Sequence, residues 1–136
     1  MKTKLVLFSA FVSLMILAFA SCSKDDNNGE NSGSYPKKAT IEYKCMVASG
    51  TPTDVEVSYT NESGGTERMQ NIPLPYSKKI TRTVKAYDDA TILFGGFGPG
   101  GVKTEVYVDG MLVGSKTATS NSEDSSFSDI VSYVWR

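Results

Sequence analysis

The segment Val102–Thr119 reads VKTEVYVDGMLVGSKTAT, and it decides the fold class. Apolar and polar residues alternate up to Val108, which is typical of a β-strand with one buried face. Asp109-Gly110 follows, and both residues of such a pair tolerate the positive φ angles of a two-residue hairpin turn. We therefore predict an antiparallel hairpin whose return strand covers 111–119.

The same two-residue period recurs on both sides of this hairpin. A helical period with capping residues at both ends is not found after residue 38. Residues 39–136 are therefore predicted to form an all-β domain, an immunoglobulin-like antiparallel β-sandwich of about seven or eight strands. The other strand candidates are 41–47, 55–59, 66–72, 80–86, 91–94 and 127–135.

Two adjoining segments carry further predictions. Residues 91–94 (TILF) are apolar apart from Thr91, so we expect them to be buried on both faces. Gly95–Gly101 (GGFGPGG) is predicted to be a flexible loop between strands. It satisfies the G-x-G-x-x-G spacing, but a strand pattern follows it where a nucleotide fold needs a helix.

The first 21 residues have the pattern of a bacterial lipoprotein signal peptide. Lys2 and Lys4 precede 16 uncharged residues, 5–20, a run that is short for a membrane span and suitable for a signal sequence. Phe19-Ala20-Ser21-Cys22 resembles a lipobox, in which the cysteine is acylated and becomes the new N-terminus. We predict that lipid on Cys22 anchors the chain to a membrane; an ordinary secreted protein with Cys22 free or bonded to Cys45 is the alternative.

A polar stretch follows the predicted lipidation site. Residues 22–38 contain no apolar period and are predicted to be a flexible tether. Its opening, Ser23-Lys24-Asp25-Asp26, resembles the export signal of Bacteroidetes surface lipoproteins. It implies an outer-membrane lipoprotein exposed on the cell surface; a merely hydrophilic linker on a protein of the periplasmic face is the alternative.

Composition excludes several kinds of activity. The chain contains no histidine, which removes Ser-His and Cys-His nucleophiles and imidazole metal sites. Its 14 basic and 15 acidic residues lack the basic excess of a nucleic-acid-binding domain. Paired carboxylates occur only in predicted turns and in the tether, without the spacing of a calcium loop. We predict no catalytic residue, no metal, no cofactor and no nucleic-acid partner, and we expect Cys45 to be a buried thiol.

Short motifs in the domain resemble the MmpS family of small membrane-anchored envelope proteins. They are Leu74-Pro75-Tyr76-Ser77 within IPLPYSK, the upstream strand 57–60, and Val106–Gly110 (VYVDG). The resemblance covers residues 39–135. It implies a β-sandwich and a function as an accessory protein of RND-type lipid exporters.

Four aromatic residues, Tyr35, Tyr76, Phe97 and Trp135, lie in predicted loops or near the termini. They are candidates for a sugar- or lipid-binding patch, with core packing as the alternative. Tyr76 and Phe97 are the predicted binding contacts. Pro73 and Pro75 stiffen the segment before Tyr76 and place it at a sheet edge, and Phe97 is the aromatic residue of the predicted glycine-rich loop. Two functions follow: a non-catalytic module docking on an envelope protein or transporter, or a structural or adhesive surface module contacting glycans or another envelope protein.

Overall fold

The alternating runs form eight antiparallel β-strands in a computed structural model that describes residues 34–136. The predictions for residues before this range, including Cys22 and Ser23–Asp26, concern residues outside the described range. The strands are β1 (Lys37–Gly50), β2 (Thr53–Thr60), β3 (Thr66–Met69), β4 (Tyr76–Val84), β5 (Asp89–Phe97), β6 (Gly100–Val108), β7 (Met111–Ser120) and β8 (Ser126–Val134). β1 begins at Lys37, two residues before the expected start of the domain.

The strands form two four-stranded sheets packed as a sandwich. The first sheet has the order β4-β1-β6-β7 and the second has the order β3-β2-β5-β8. All neighbouring strands are antiparallel. The prediction of an all-β antiparallel sandwich is therefore confirmed, with eight strands.

The β6–β7 hairpin forms where the sequence predicts it. Val108 pairs with Met111, so Asp109 and Gly110 are the two turn residues, with φ angles of 51° and 83°. Asp109 also binds the neighbouring strand, because its side chain accepts a hydrogen bond of 2.8 Å from the Thr40 amide. The turn thus closes the hairpin and attaches it to β1.

The core lies between the inner faces of the two sheets, as the two-residue period requires. Its largest fully buried side chains are Trp135, Tyr43, Tyr59 and Phe94. Cys45 is buried and free, as predicted, and accepts a hydrogen bond of 3.3 Å from the Thr104 hydroxyl. The remaining core side chains are mainly valine, isoleucine and alanine, including Ala39, Ile41, Val55, Val57, Ile80, Val84, Ala90, Ile92, Val102, Val106 and Val131.

One charged side chain, Arg82, enters the core with the apolar face of β4. Its Nη2 donates a hydrogen bond of 2.5 Å to the backbone oxygen of Asp89, and its guanidinium lies 5.6 Å from the centre of the Trp135 ring. A buried cation needs such partners, because burial without them is costly. Arg82 therefore ties the edge strand β4 of the first sheet to β5 and the C-terminal segment of the second.

The prediction that 91–94 is buried on both faces is wrong. Ile92 and Phe94 point into the core, whereas Leu93 is 46% exposed. The strand alternates like its neighbours, because the outer face of the second sheet is open to solvent over the residues that the structure describes. Leu93 is an apolar residue on that open face, so residues 92–94 form an apolar run that resembles a strand buried on both faces.

The prediction of a flexible Gly95–Gly101 loop is also wrong. Residues 95–97 belong to β5 and residues 100–101 to β6, so only Gly98 and Pro99 connect the strands. A Cβ atom at Gly100 would lie 2.5 Å from the Ser49 carbonyl oxygen, and one at Gly50 would collide with the Pro99 carbonyl. The glycines therefore serve close packing between the β1–β2 and β5–β6 corners, where the chain passes from one sheet to the other.

Candidate functional site

The outer face of the second sheet contains an open depression centred on Gly95. Gly95 pairs with Glu56 on β2 and with Ser128 on β8. Leu93 and Phe97 lie two residues away on β5, on the same face. Because Gly95 has no side chain, these four neighbours surround a hollow whose floor is backbone. A Cβ atom there would lie 2.9 Å from the Phe127 carbonyl oxygen, so close strand packing also favours glycine.

Three apolar side chains on this face are exposed. Leu93, Ile130 and Phe97 are 46%, 47% and 48% exposed, and Leu93 pairs directly with Ile130 across β5 and β8. Phe97 lies at the other side of Gly95, between Thr53 and Ser126. The hollow thus has an aliphatic side and an aromatic side.

The wall formed by β2 and β3 is polar and held in place. Arg68 Nη2 lies 2.6 Å from Glu56 Oε2. The hydrogen bond from Arg68 lowers the pKa of Glu56, with a smaller contribution from the Gln70 amide. Both residues remain partly exposed, so their interaction is more important for orienting the side chains than for stability.

The depression continues toward the β1–β2 corner. Its part beside Leu93 has a volume of about 200 Å³, and its part beside Phe97 has about 570 Å³. Asp54 and Asn71 border the latter part and also a further hollow of about 520 Å³ that reaches Leu74. We call these three adjoining hollows, which share lining residues and extend from Leu93 past Gly95 to Leu74, the Gly95 groove.

Asp54 and Asn71 are placed in the groove by local backbone geometry. Their φ angles are 48° and 52°, in the left-handed region that Asn and Asp tolerate best among side-chain-bearing residues. The pairing of β2 with β5 shifts register between Thr53 and Glu56, which is a bulge at Asp54. The Ile72 amide donates a hydrogen bond of 2.9 Å to the Val55 carbonyl oxygen. This bond holds the chain after β3 beside β2.

The outer face of the first sheet is different, because its charges are paired with one another. Glu42 lies 3.5 Å from Lys44 Nζ and 3.9 Å from Lys79 Nζ. Glu105 lies 2.7 Å from Lys103 Nζ and accepts a 2.8 Å hydrogen bond from the Tyr107 hydroxyl. The hydrogen bond from Lys103 lowers the pKa of Glu105 most, and the hydrogen bond from Tyr107 lowers it further. The hydrogen bond between Tyr107 and Glu105 also raises the pKa of Tyr107.

The two predicted binding contacts lie in different places. Phe97 is on the groove. Tyr76 opens the edge strand β4, as the prolines before it predicted, but its ring packs against the core and its hydroxyl donates 3.3 Å to Met69 Sδ. Of the four aromatic candidates, Trp135 is fully buried, and Tyr35 also packs on the core. Only Phe97 therefore presents its ring to the solvent-facing groove.

A comparison with protein-family models finds no match, and a comparison with curated protein sequences finds none either.

Several carboxyl groups and the thiol of the described residues have shifted pKa values. The pKa values of Glu56, Glu105 and Asp129 are all lowered, whereas a general acid at neutral pH needs a raised one. Burial raises the pKa of the Cys45 thiol, which is the opposite of nucleophile activation. Within residues 34–136, no group of three or more histidine, cysteine or acidic side chains could hold a metal, and no helix is long and apolar enough to cross a membrane.

Sequence reasoning missed most residues of the groove. Asp54, Glu56, Arg68, Gln70, Asn71 and Ser128 were not candidates, and only Phe97 was. A partial signal exists, because Glu56 and Ser58 occupy the polar positions of an alternating strand. The pairing that places them beside Gly95 depends on the order of strands in the sheet. The alternating pattern of a single strand does not predict that order.

Proposed function

We propose that this protein is a lipid-anchored lipoprotein of the cell envelope whose β-sandwich is a non-catalytic binding module. Cys22 carries the anchor, the residues between Cys22 and Tyr35 form the tether, because Tyr35 packs on the core and β1 begins at Lys37, and the ligand binds in the Gly95 groove. The groove is the observation that supports binding most strongly, since it combines a depression of ligand size with exposed apolar and oriented polar side chains.

Two placements of the module remain as candidates. The resemblance of Leu74–Ser77 and Val106–Gly110 to the MmpS family supports an accessory of an RND-type lipid exporter, with the domain in the periplasm. Ser23–Asp26 supports a structural or adhesive module on the outer face of the outer membrane. The polar wall of the groove favours the second, because an acyl ligand would gain nothing from Glu56 and Arg68.

The anchor is tested by Cys22→Ala, with Cys45→Ala as the matched control. We expect intact-mass analysis of membrane-extracted protein to show loss of residues 1–21 and added acyl mass. Cys22→Ala should release the domain from membranes, because acyl chains supply the binding free energy. Cys45→Ala should remain attached. Membrane retention of Cys22→Ala would contradict the proposed anchor.

The placement is tested by adding proteinase K to intact cells. Digestion of the wild-type domain is expected if Ser23–Asp26 is an export signal. Replacing Lys24, Asp25 and Asp26 with alanine should then protect the domain without changing acylation. A wild-type domain that is protected from the start would favour the exporter accessory.

The binding surface is tested with a photo-cross-linking amino acid in living cells. It is introduced at Ser128, beside the hollow, and in a control at Thr117, on the outer face of the first sheet. We expect a discrete adduct at Ser128 only, weakened by Phe97→Ala. Equal adducts at both positions, or none at either, would contradict a binding function for the groove.

A further inference from the structure

We infer that the ligand of the Gly95 groove is a neutral glycan, bound along the outer face of the second sheet. This inference rests on the proposed binding function and specifies its ligand class. It depends on four properties of the groove: its hydrogen-bonding groups, its aromatic face, its charge and its position on the sheet.

The hydrogen-bonding groups of the groove suit hydroxyl ligands. A sugar hydroxyl both donates and accepts, so vicinal hydroxyls need acceptors and donors side by side. Glu56 supplies a carboxylate, Arg68 a guanidinium, and Gln70 and Asn71 supply amides that contain both kinds of group. The Arg68–Glu56 contact of 2.6 Å orients the first two before any ligand arrives, which reduces the entropic cost of binding.

The apolar part of the groove suits the other surface of a sugar. Pyranose rings present C–H faces that pack on flat aromatic rings and on aliphatic side chains. Phe97 is exposed at one side of Gly95 and Leu93 at the other, with the backbone floor between them. A saccharide chain over Gly95 would have Leu93 on one side and Phe97 on the other, with the polar wall beside it.

Charge argues against an anionic ligand. The side chains that line the part beside Phe97 include two carboxyl groups, Asp54 and Glu56, and one guanidinium, Arg68. A phosphate, a nucleic acid or a sulfated polysaccharide would meet this local excess of negative charge. A neutral polymer meets no such opposition.

The position on the sheet argues against a peptide added as a further strand. Such a peptide needs a strand edge with unpaired backbone groups. The groove crosses β2 and β5, which are paired on both sides, and it reaches the edge strands β3 and β8 over their faces, beside their pairing with β2 and β5 and away from their free edges. Recognition here must use side chains, and a groove that is open along its length admits a polymer passing through it.

The test uses the full-length acylated protein in a detergent without a sugar headgroup. The probes are linear hexasaccharides of glucose, mannose, galactose and xylose, with a heparin hexasaccharide as the anionic probe. We expect saturable binding of at least one neutral probe by titration calorimetry. Amide NMR shifts should be confined to β2, β3 and the 95–97 and 126–128 segments.

Paired variants separate the groove from general surface effects. Phe97→Ala and Glu56→Gln should each weaken binding about tenfold or more, since each removes a central contact. Leu112→Ala and Glu42→Gln are the controls, because Leu112 is 53% exposed and Glu42 is ion-paired on the first sheet. These controls should bind like wild type. None of the four exchanged side chains is in the core, so all four variants should fold. The melting temperature of each variant checks this.

Absence of binding to every neutral probe, binding of heparin alone, or full binding by Phe97→Ala would overturn the inference. Its failure is distinguishable from failure of the proposed function. If the Ser128 cross-link forms in cells while no neutral sugar binds, the groove binds a different ligand class. If the cross-link is also absent, both proposals fail.

Discussion

The outer faces of the two sheets differ in how their polar and apolar side chains are arranged. On the first sheet, Lys44 pairs with Glu42 and covers the Tyr107 ring at 4.7 Å, while Lys103 and Tyr107 both bind Glu105. On the second sheet, Glu56 and Arg68 form one pair beside an empty position at Gly95. On the first face, neighbouring polar side chains pair around Glu42 and Glu105, whereas the second face has an open position at Gly95 between its apolar side chains.

The difference comes from a few residue choices. The central strand of the first sheet, β6, carries long polar side chains outward, and they bury even Glu105 to 8% exposure. The corresponding strand of the second sheet, β5, carries Leu93, Gly95 and Phe97 outward. On β5, two long apolar side chains flank a glycine, whereas on β6 the three outward side chains Lys103, Glu105 and Tyr107 bond to one another.

The inner and outer residues of β5 provide the largest expected contrast. Phe94→Ala should cost about 3–5 kcal/mol in the free energy of unfolding, because it leaves a cavity in the core. Leu93→Ala, one residue away, should cost less than about 1 kcal/mol. Urea unfolding of both variants measures this. Equal losses would mean that the outer face of the second sheet is covered in the native protein.

Glycines on the two outer faces provide the next comparison. Gly95→Ala should cost about 1–3 kcal/mol, because its Cβ must displace the strand around Phe127. Gly101→Ala on the first sheet should also destabilise, since its Cβ would lie 2.6 Å from the Ala118 carbonyl oxygen. Only Gly95→Ala should also impair cross-linking through Ser128. Equal cross-linking by both variants would contradict the assignment of the groove.

The two predicted contacts, Tyr76 and Phe97, should differ in how much each contributes to stability and to binding, with smaller changes in stability than those above. Tyr76→Ala should cost about 1–2 kcal/mol, because its half-buried ring packs against the core. Phe97→Ala should change stability by less than about 0.5 kcal/mol while lowering binding. Thermal melts together with the cross-linking yield measure both. A stability loss at Phe97 that exceeds the loss at Tyr76 would reverse these assignments.

The smallest effect concerns the charges of the first sheet and depends on pH. Folding lowers the pKa of Glu105, so its contribution is fully present above the usual glutamate pKa of about 4.3 and is lost as pH falls through the lowered value. Glu105→Gln should therefore be less stable than wild type at pH 7, by about 1 kcal/mol or less. The difference should vanish in acid. Urea unfolding at both pH values tests the sign, and a constant difference would contradict it.

The sequence predicted the strands better than it predicted the site. Alternation is a local pattern, so β1, β2 and the Asp109-Gly110 hairpin could be located from neighbouring residues alone. Burial of a strand depends on what covers its outer face, which is why Leu93 was misassigned. The groove depends on the pairing of Glu56 and Ser128 with Gly95, and partners 33 or more residues apart in the chain leave no local signal.

The central position of β1 has a mechanical consequence. The chain enters the domain at Lys37, and β1 is bonded to β4 on one side and to β6 on the other. Consider a force that pulls on the proposed N-terminal anchor while a ligand holds the other sheet. This force acts along β1 and shears its hydrogen bonds to β4 and to β6 at the same time. Many bonds must then break together, which slows forced unfolding more than peeling an edge strand would. The same sandwich attached through β8 would resist such a pull less well, because β8 has a partner strand on one side only.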